Sequence, residues 1–158
     1  MSQADAMSLY YVDLVAINSK REELRTEPVR VLVDTGAECS WLPAPVLAKI
    51  GIQPRRKRAF RSAEGRIMVR DVGYCILAAE GFETNDEIVF AQPGDMLLLG
   101  VRTLEGFCVT VDPVGHRLTE RPSIVAGNVS GGRRAAELVR QHPSPLRQHP
   151  KGPIAVFP

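Results

Sequence analysis

The chain has 158 residues, 44% hydrophobic and 24% charged, which is enough for one domain with a proper core. Its net charge of +2 is uneven: residues 1–120 hold 14 Lys+Arg against 17 Asp+Glu, and residues 121–158 hold six against one. The mildly acidic first part carries no general nucleic-acid-binding signature, no apolar run approaches ~18 residues, and three scattered cysteines without a CxxC fit a reducing compartment.

Residues 1–8 are polar and read as a loose N-terminus. They lack the basic start and apolar stretch of a signal peptide, so a cytoplasmic protein is expected. Leu9 to Ile17 is β-rich and reads as a strand, an outer one in view of Asp13. Asn18 to Pro28 suits a solvated loop. Val29, Val31 and Val33 then alternate with Arg30 and Leu32, a strand that runs directly into Asp34-Thr35-Gly36-Ala37. A carboxylate at the end of a buried strand is costly unless something satisfies it. Thr35 offers a hydroxyl, and Gly36 permits close backbone approach. Ala44 to Ile50 can make one or two helical turns, with Gly51 as the stop.

Gln53 to Arg61 is strongly basic. A charged strand edge, which discourages sheet pairing, explains it better than a nucleic-acid patch does. Ser62 to Gly65 reads as a hairpin tip between Arg58–Arg61 and Arg66–Val72, with Gly65 at a positive-φ position. Val72 to Ala79 is a core strand, Glu80 to Glu87 a polar turn, and Ile88 to Phe90 a short strand. Gln92 to Asp95 is a turn. Met96 to Gly100 is continuously apolar and should be buried on both faces. Val101 to Glu105 suits a short helix stopped by Gly106. Phe107 to Asp112 and Arg117 to Glu120 are strands around a turn at Pro113–His116. About nine short strands imply an all-β barrel or sandwich over residues 9–120. Residues 121–158 form a Gly/Pro-rich basic tail, with room for a brief helix over Gly132–Gln141 and otherwise extended or disordered. Arg140-Gln141-His142-Pro143 recurs as Arg147-Gln148-His149-Pro150. Proline-linked histidines in a loose tail are poor cage formers, so no metal and no cofactor is expected.

A lone Asp-Thr-Gly carries little information and is usually an Asx-type turn. Here a hydrophobic strand precedes it, Ala37 and Trp41-Leu42-Pro43 follow, and Leu98-Leu99-Gly100 comes some sixty residues later. Together these motifs resemble the retropepsin-type aspartic proteases, the single-domain relatives of retroviral protease. The resemblance covers roughly Leu9 to Glu120 and is nearest in style to the small cellular and prokaryotic forms. It implies a closed β-barrel with a flap hairpin and one short helix. It implies Asp34 as the catalytic residue, Thr35, Gly36 and Ala37 as the active-site loop, and Leu98, Leu99 and Gly100 packed beneath. Ala63, Glu64 and Gly65 would be the flap tip over an extended peptide.

The chemistry needs two carboxylates sharing one proton, and this chain holds one Asp-Thr-Gly. Asp95 and Asp112 lack the Thr-Gly that would mark a second copy. The economical solution is a symmetric homodimer, each chain contributing Asp34. The expected function is therefore an aspartic endopeptidase acting on peptide or protein substrates. The alternative is a non-catalytic dimer that binds an extended segment; a nucleic-acid contact is a weaker third. Three departures motivate the alternative. Glu38-Cys39 follows the motif where two acids are common, Val101 separates Gly100 from Arg102, and the flap tip has a single glycine.

Overall fold

The computed structural model describes residues 9–125 and 132–141. The expectations for residues 1–8, and for the tail beyond 141, fall outside them. Strand β1 (Tyr11–Ile17) buries Val12, Leu14 and Ala16 and turns Tyr11 and Asp13 to solvent. It is not an outer strand, because it pairs with a neighbour on each side. It is followed by β2 (Val29–Val33), β3 (Ser40–Pro43), helix α1 (Ala44–Lys49), β4 (Arg56–Arg61), β5 (Ile67–Ala79), β6 (Phe82–Ala91) and β7 (Leu98–Leu99). Helix α2 (Val101–Gly106), β8 (Val109–Asp112), β9 (Arg117–Glu120) and α3 (Gly132–Gln141) complete the described elements.

Seven strands form a mixed sheet in the order β1-β2-β7-β3-β6-β5-β4. The end of β1 also pairs with β5, Val15 opposite Ala78 and Ile17 opposite Ile76, so the ladder returns to its start and leaves β4 as the edge strand. Strands β8 and β9 make a separate hairpin. The fold is thus a mixed β-sheet with three short helices among the described residues, at the three segments where the residues suggested helical turns, although the family resemblance implied one.

Two local expectations are corrected. The segment 80–87 is not a polar turn. Only Glu80 and Gly81, both at positive φ, make the turn, and β6 begins at Phe82. Its polar residues hid a period-two pattern in which Glu83 and Asn85 face water while Phe82, Thr84 and Asp86 face inward. The run Met96–Gly100 is not buried throughout: Met96 is 61% exposed and only Leu98 and Leu99 form β7. The apolar run is longer than the strand because β7 meets β2 at two positions only, Leu32 and Val33.

Leu14, Leu42, Leu47, Leu77, Ile88 and Leu99 centre the main core. A second cluster, Cys39, Trp41, Val72, Val89 and Ala91, lies where the β4–β5 hairpin meets the sheet, and Phe60, Met68, Leu97 and Leu98 pack against it.

Candidate active site

Strand β7 lies between β2 and β3, parallel to the first and antiparallel to the second. The loop 34–39 must therefore bridge the end of β7. Asp34 N–H donates to the Leu99 carbonyl at 3.0 Å, Val101 N–H to the Ala37 carbonyl at 2.8 Å, and Arg102 N–H to the Glu38 carbonyl at 3.0 Å. Within the loop, Gly36 N–H donates to Asp34 Oδ1 at 2.9 Å and Ala37 N–H to the Asp34 carbonyl at 3.2 Å. This is an Asx-type turn, and it fixes the carboxylate's orientation. Asp34 and Ala37 are half-buried, while Thr35 and Gly36 are exposed.

Gly100 is required by close approach. A Cβ there would stand 2.4 Å from the Cys39 carbonyl oxygen and 2.9 Å from that of Glu38. Beneath the loop runs a buried hydroxyl relay that sequence reasoning missed. Gly100 N–H donates to Ser40 Oγ at 2.9 Å, and Thr103 Oγ1 donates to Asp86 Oδ2 at 3.0 Å. The intervening 2.6 Å contact between Ser40 and Thr103 is therefore donated by Ser40. The relay joins the ends of both motifs to β6.

The 56–72 hairpin carries the candidate flap. Ser62 N–H donates to the Arg66 carbonyl at 2.8 Å, and Gly65 N–H to the Ser62 carbonyl at 2.9 Å. Gly65 adopts φ +85°, which the turn demands, and Ala63, Glu64 and Gly65 are exposed at the tip. Phe60 meets Trp41 edge-on at 5.0 Å. On the same face, Arg58 donates to Glu87 Oε1, to Cys39 Sγ at 3.2 Å and to Glu38 Oε1 at 3.4 Å. Arg56 donates to Glu87 Oε2 at 2.8 Å. Arg102 stands 3.7 Å from Asp86 and 3.8 Å from Glu87. Arg70 forks onto Asp95 at 2.7 and 2.8 Å.

Burial pushes the Glu87 carboxyl up, but the hydrogen bonds from Arg56 and Arg58 outweigh it and hold it below its ordinary value. The Arg70 fork likewise lowers Asp95 against a smaller burial effect. Burial raises the Cys39 thiol, with Arg58 opposing, and the sulfur lies buried beside the loop.

Asp112 accepts from the Val114 and Gly115 N–H groups at 3.1 and 2.9 Å and so organises its own turn. Asp95 is occupied by Arg70. Among the described residues no group of three or more His, Cys, Asp and Glu could hold a metal ion, and no helix is long and apolar enough to cross a membrane.

The model for the family described as gag-polyprotein putative aspartyl protease matches residues 23–106, which is 84 of the 158 positions. The chain belongs to that family. The matched span holds the Asp34 loop, the hairpin and Leu98-Leu99-Gly100 of this gag-type aspartyl protease domain. Among solved structures, simian foamy virus (mac) protease matches at 18% identity and TM-score 0.41, over 60% of this chain and 91% of that one. The foamy viral protease-reverse transcriptase in complex with an RNA/DNA hybrid matches at 12% identity and TM-score 0.46, over 85% of this chain and 18% of that one. A second structure of that viral protein, in complex with double-stranded DNA, matches at 13% identity and TM-score 0.43, over 82% and 22%. This chain thus spans about a fifth of those two longer proteins. No curated protein matches.

Proposed function

We propose that the chain is an aspartic endopeptidase that works as a homodimer, with Asp34 from each copy meeting on a twofold axis. The observation that carries this reading is the Asp34 turn. A half-buried carboxylate closes an Asp-Thr-Gly-Ala loop whose backbone is bonded to Leu99 and Val101, in a chain of the gag-type aspartyl protease family.

Two carboxylates held about 3 Å apart share one proton. The ionised one takes a proton from a water, whose oxygen bonds to the scissile carbonyl carbon. The protonated one donates to the carbonyl oxygen as charge develops there. Proton transfer to the amide nitrogen then lets the C–N bond break, releasing an acid and an amine and restoring the shared proton. Thr35 and Gly36 are exposed. In this reading Thr35 bonds across the axis and the Gly36 carbonyl holds substrate backbone. Leu98, Leu99 and Gly100 support the loop from below. The hairpin tip at Ala63, Glu64 and Gly65 covers an extended peptide bound by strand-like hydrogen bonds. Three free cysteines, Cys39, Cys75 and Cys108, suit a cytoplasmic location.

The test is cleavage of a diverse peptide library at several pH values, wild type beside Asp34→Asn, with sedimentation to establish the assembly. Cleavage by wild type alone, strongest in acid, is the expected result. Cleavage by Asp34→Asn at the wild-type rate, or activity from a strict monomer, overturns the mechanism.

A further inference from the structure

We propose that Arg58 and Arg70 are positioning residues, a pair of clamps that fix the hairpin's stem above the Asp34 loop and leave residues 61–67 as the moving part of the flap. They stand directly opposite each other in the β4–β5 ladder. Two like charges in that relation repel. The arrangement is stable here because each guanidinium turns to a different carboxylate. Arg58 reaches Glu87, whose side chain is 2% exposed, and extends to Glu38 and the Cys39 sulfur in the active-site loop itself. Its guanidinium also lies 5.1 Å from the Phe60 ring. Arg70 forks onto Asp95, in the turn that leads into β7.

The anchors are therefore not scattered along the sheet. One side grips the loop carrying Asp34 and the strand under it, and the other grips the approach to Leu98-Leu99-Gly100. Next outward, Phe60 and Met68 pair and pack on the cluster around Trp41. Beyond them such anchorage ends. Arg61 and Arg66 make no ion pair among the described residues, and Ile67 is 53% exposed. A Cβ on Gly65 would meet nothing within 4 Å. Charge-assisted forks in a half-buried setting are stiff and directional. The stem thus ends, and the hinge begins, just past the Phe60–Met68 pair.

The consequence for substrate rests on the endopeptidase reading, whereas the clamp itself does not. The experiment is hydrogen exchange on the full chain: wild type, Arg58→Gln, Arg70→Gln and Arg58→Lys. The Gln variants should speed exchange of the 56–60 and 68–72 amides about tenfold while β1 and β2 keep wild-type protection. Arg58→Lys, which keeps the charge but not the reach to both Glu87 and Glu38, should recover part of the protection. Should a single variant fail to fold, Arg70→Gln/Asp95→Asn removes both charges and gives the same reading. Unchanged exchange overturns the proposal, as does a uniform rise across the whole sheet, which would make the arginines ordinary fold stabilisers. Peptide cleavage by the Gln variants should show a KM raised about tenfold with kcat held within about twofold, because flap placement affects binding more than the dyad. If Asp34→Asn also cleaves, the protease mechanism fails while the exchange result still decides the clamps.

Discussion

The Asp34 loop and the 56–72 hairpin are each anchored to the same part of the sheet, by opposite chemistry. The loop is held mainly by backbone and hydroxyl groups: backbone bonds to Leu99 and Val101, and the relay from Gly100 through Ser40 and Thr103 to the Asp86 carboxylate, with Arg58 reaching Glu38 and Cys39 from the hairpin. The hairpin is held by ions: Arg56 and Arg58 on Glu87, and Arg70 on Asp95. Short neutral bonds between backbone and small hydroxyls define a geometry to a few tenths of an ångström and are little affected by salt. Arginine–carboxylate bonds are directional as well, but they respond to salt and pH. The loop carrying Asp34 has mainly the first kind of anchor, and the stem of the candidate flap has the second.

Four changes would sharpen or break this contrast. The largest effect is expected from Gly100→Ala. Its Cβ would press on the Cys39 carbonyl from 2.4 Å, and neither backbone can yield without opening the loop. A loss of roughly 3 kcal/mol or more in urea unfolding is expected, with catalysis gone. A stability loss below about 1 kcal/mol would mean the loop is softer than its bonding implies.

Glu87→Gln comes next. It leaves Arg58, itself only 20% exposed, facing a neutral amide. The expected loss is about 2–3 kcal/mol, below the usual figure for breaking a fully buried pair because Arg56 is open to solvent. This variant also tests the pH behaviour. The Glu87 and Asp95 carboxyls lie below their ordinary values when folded. Such groups stabilise fully above their unfolded pKa, roughly pH 4, and lose that stabilisation as pH falls through the folded values. The clamps therefore persist in mild acid, where a shared-proton dyad works, and fail only in stronger acid. Thermal melts between about pH 2 and 6 should show wild type losing stability at the acid end, and Glu87→Gln should show a shallower loss. Equal slopes would remove Glu87 from the account.

Thr103→Val should cost about 1–3 kcal/mol by interrupting the relay, which leaves the Ser40 hydroxyl without its acceptor and Asp86 Oδ2 without the Thr103 bond. Its loss should be nearly independent of salt, in contrast to that of Arg70→Gln. The smallest effect is expected at Lys57→Ala. Its bond to Asp71 is short at 2.8 Å, but the lysine side chain is 72% exposed, so a change within about 0.5 kcal/mol is expected in the same denaturation assay.

Features governed by neighbouring residues were legible in the sequence. The Asp34 motif at the end of β2 was readable because alternation and a glycine-containing turn are local properties. So were the Ser62–Gly65 tip, the Gly51 stop at φ +78° after α1, and the charged edge strand β4. The first half of β6 was misread because its outward residues are polar and its inward ones, Thr84 and Asp86, are polar too. The pattern was present but not written in hydrophobic letters. Nothing local distinguished Arg58 from Lys57, although one is a clamp and the other a solvated pair.

Backbone preference and side-chain alternation act over a few residues, and by themselves they determined most of the strands and turns, though not β3 or the first half of β6, and where a carboxylate would meet a tight loop. Which charges find each other was decided only by tertiary structure. Arg58 and Glu87 are 29 residues apart, Arg70 and Asp95 are 25 apart, and Ser40 and Thr103 are 63 apart. Their meeting depends on the register of β4 on β5, of β5 on β6, and on the insertion of β7 between β2 and β3. A one-residue slip in any of these ladders would turn each partner to the opposite face.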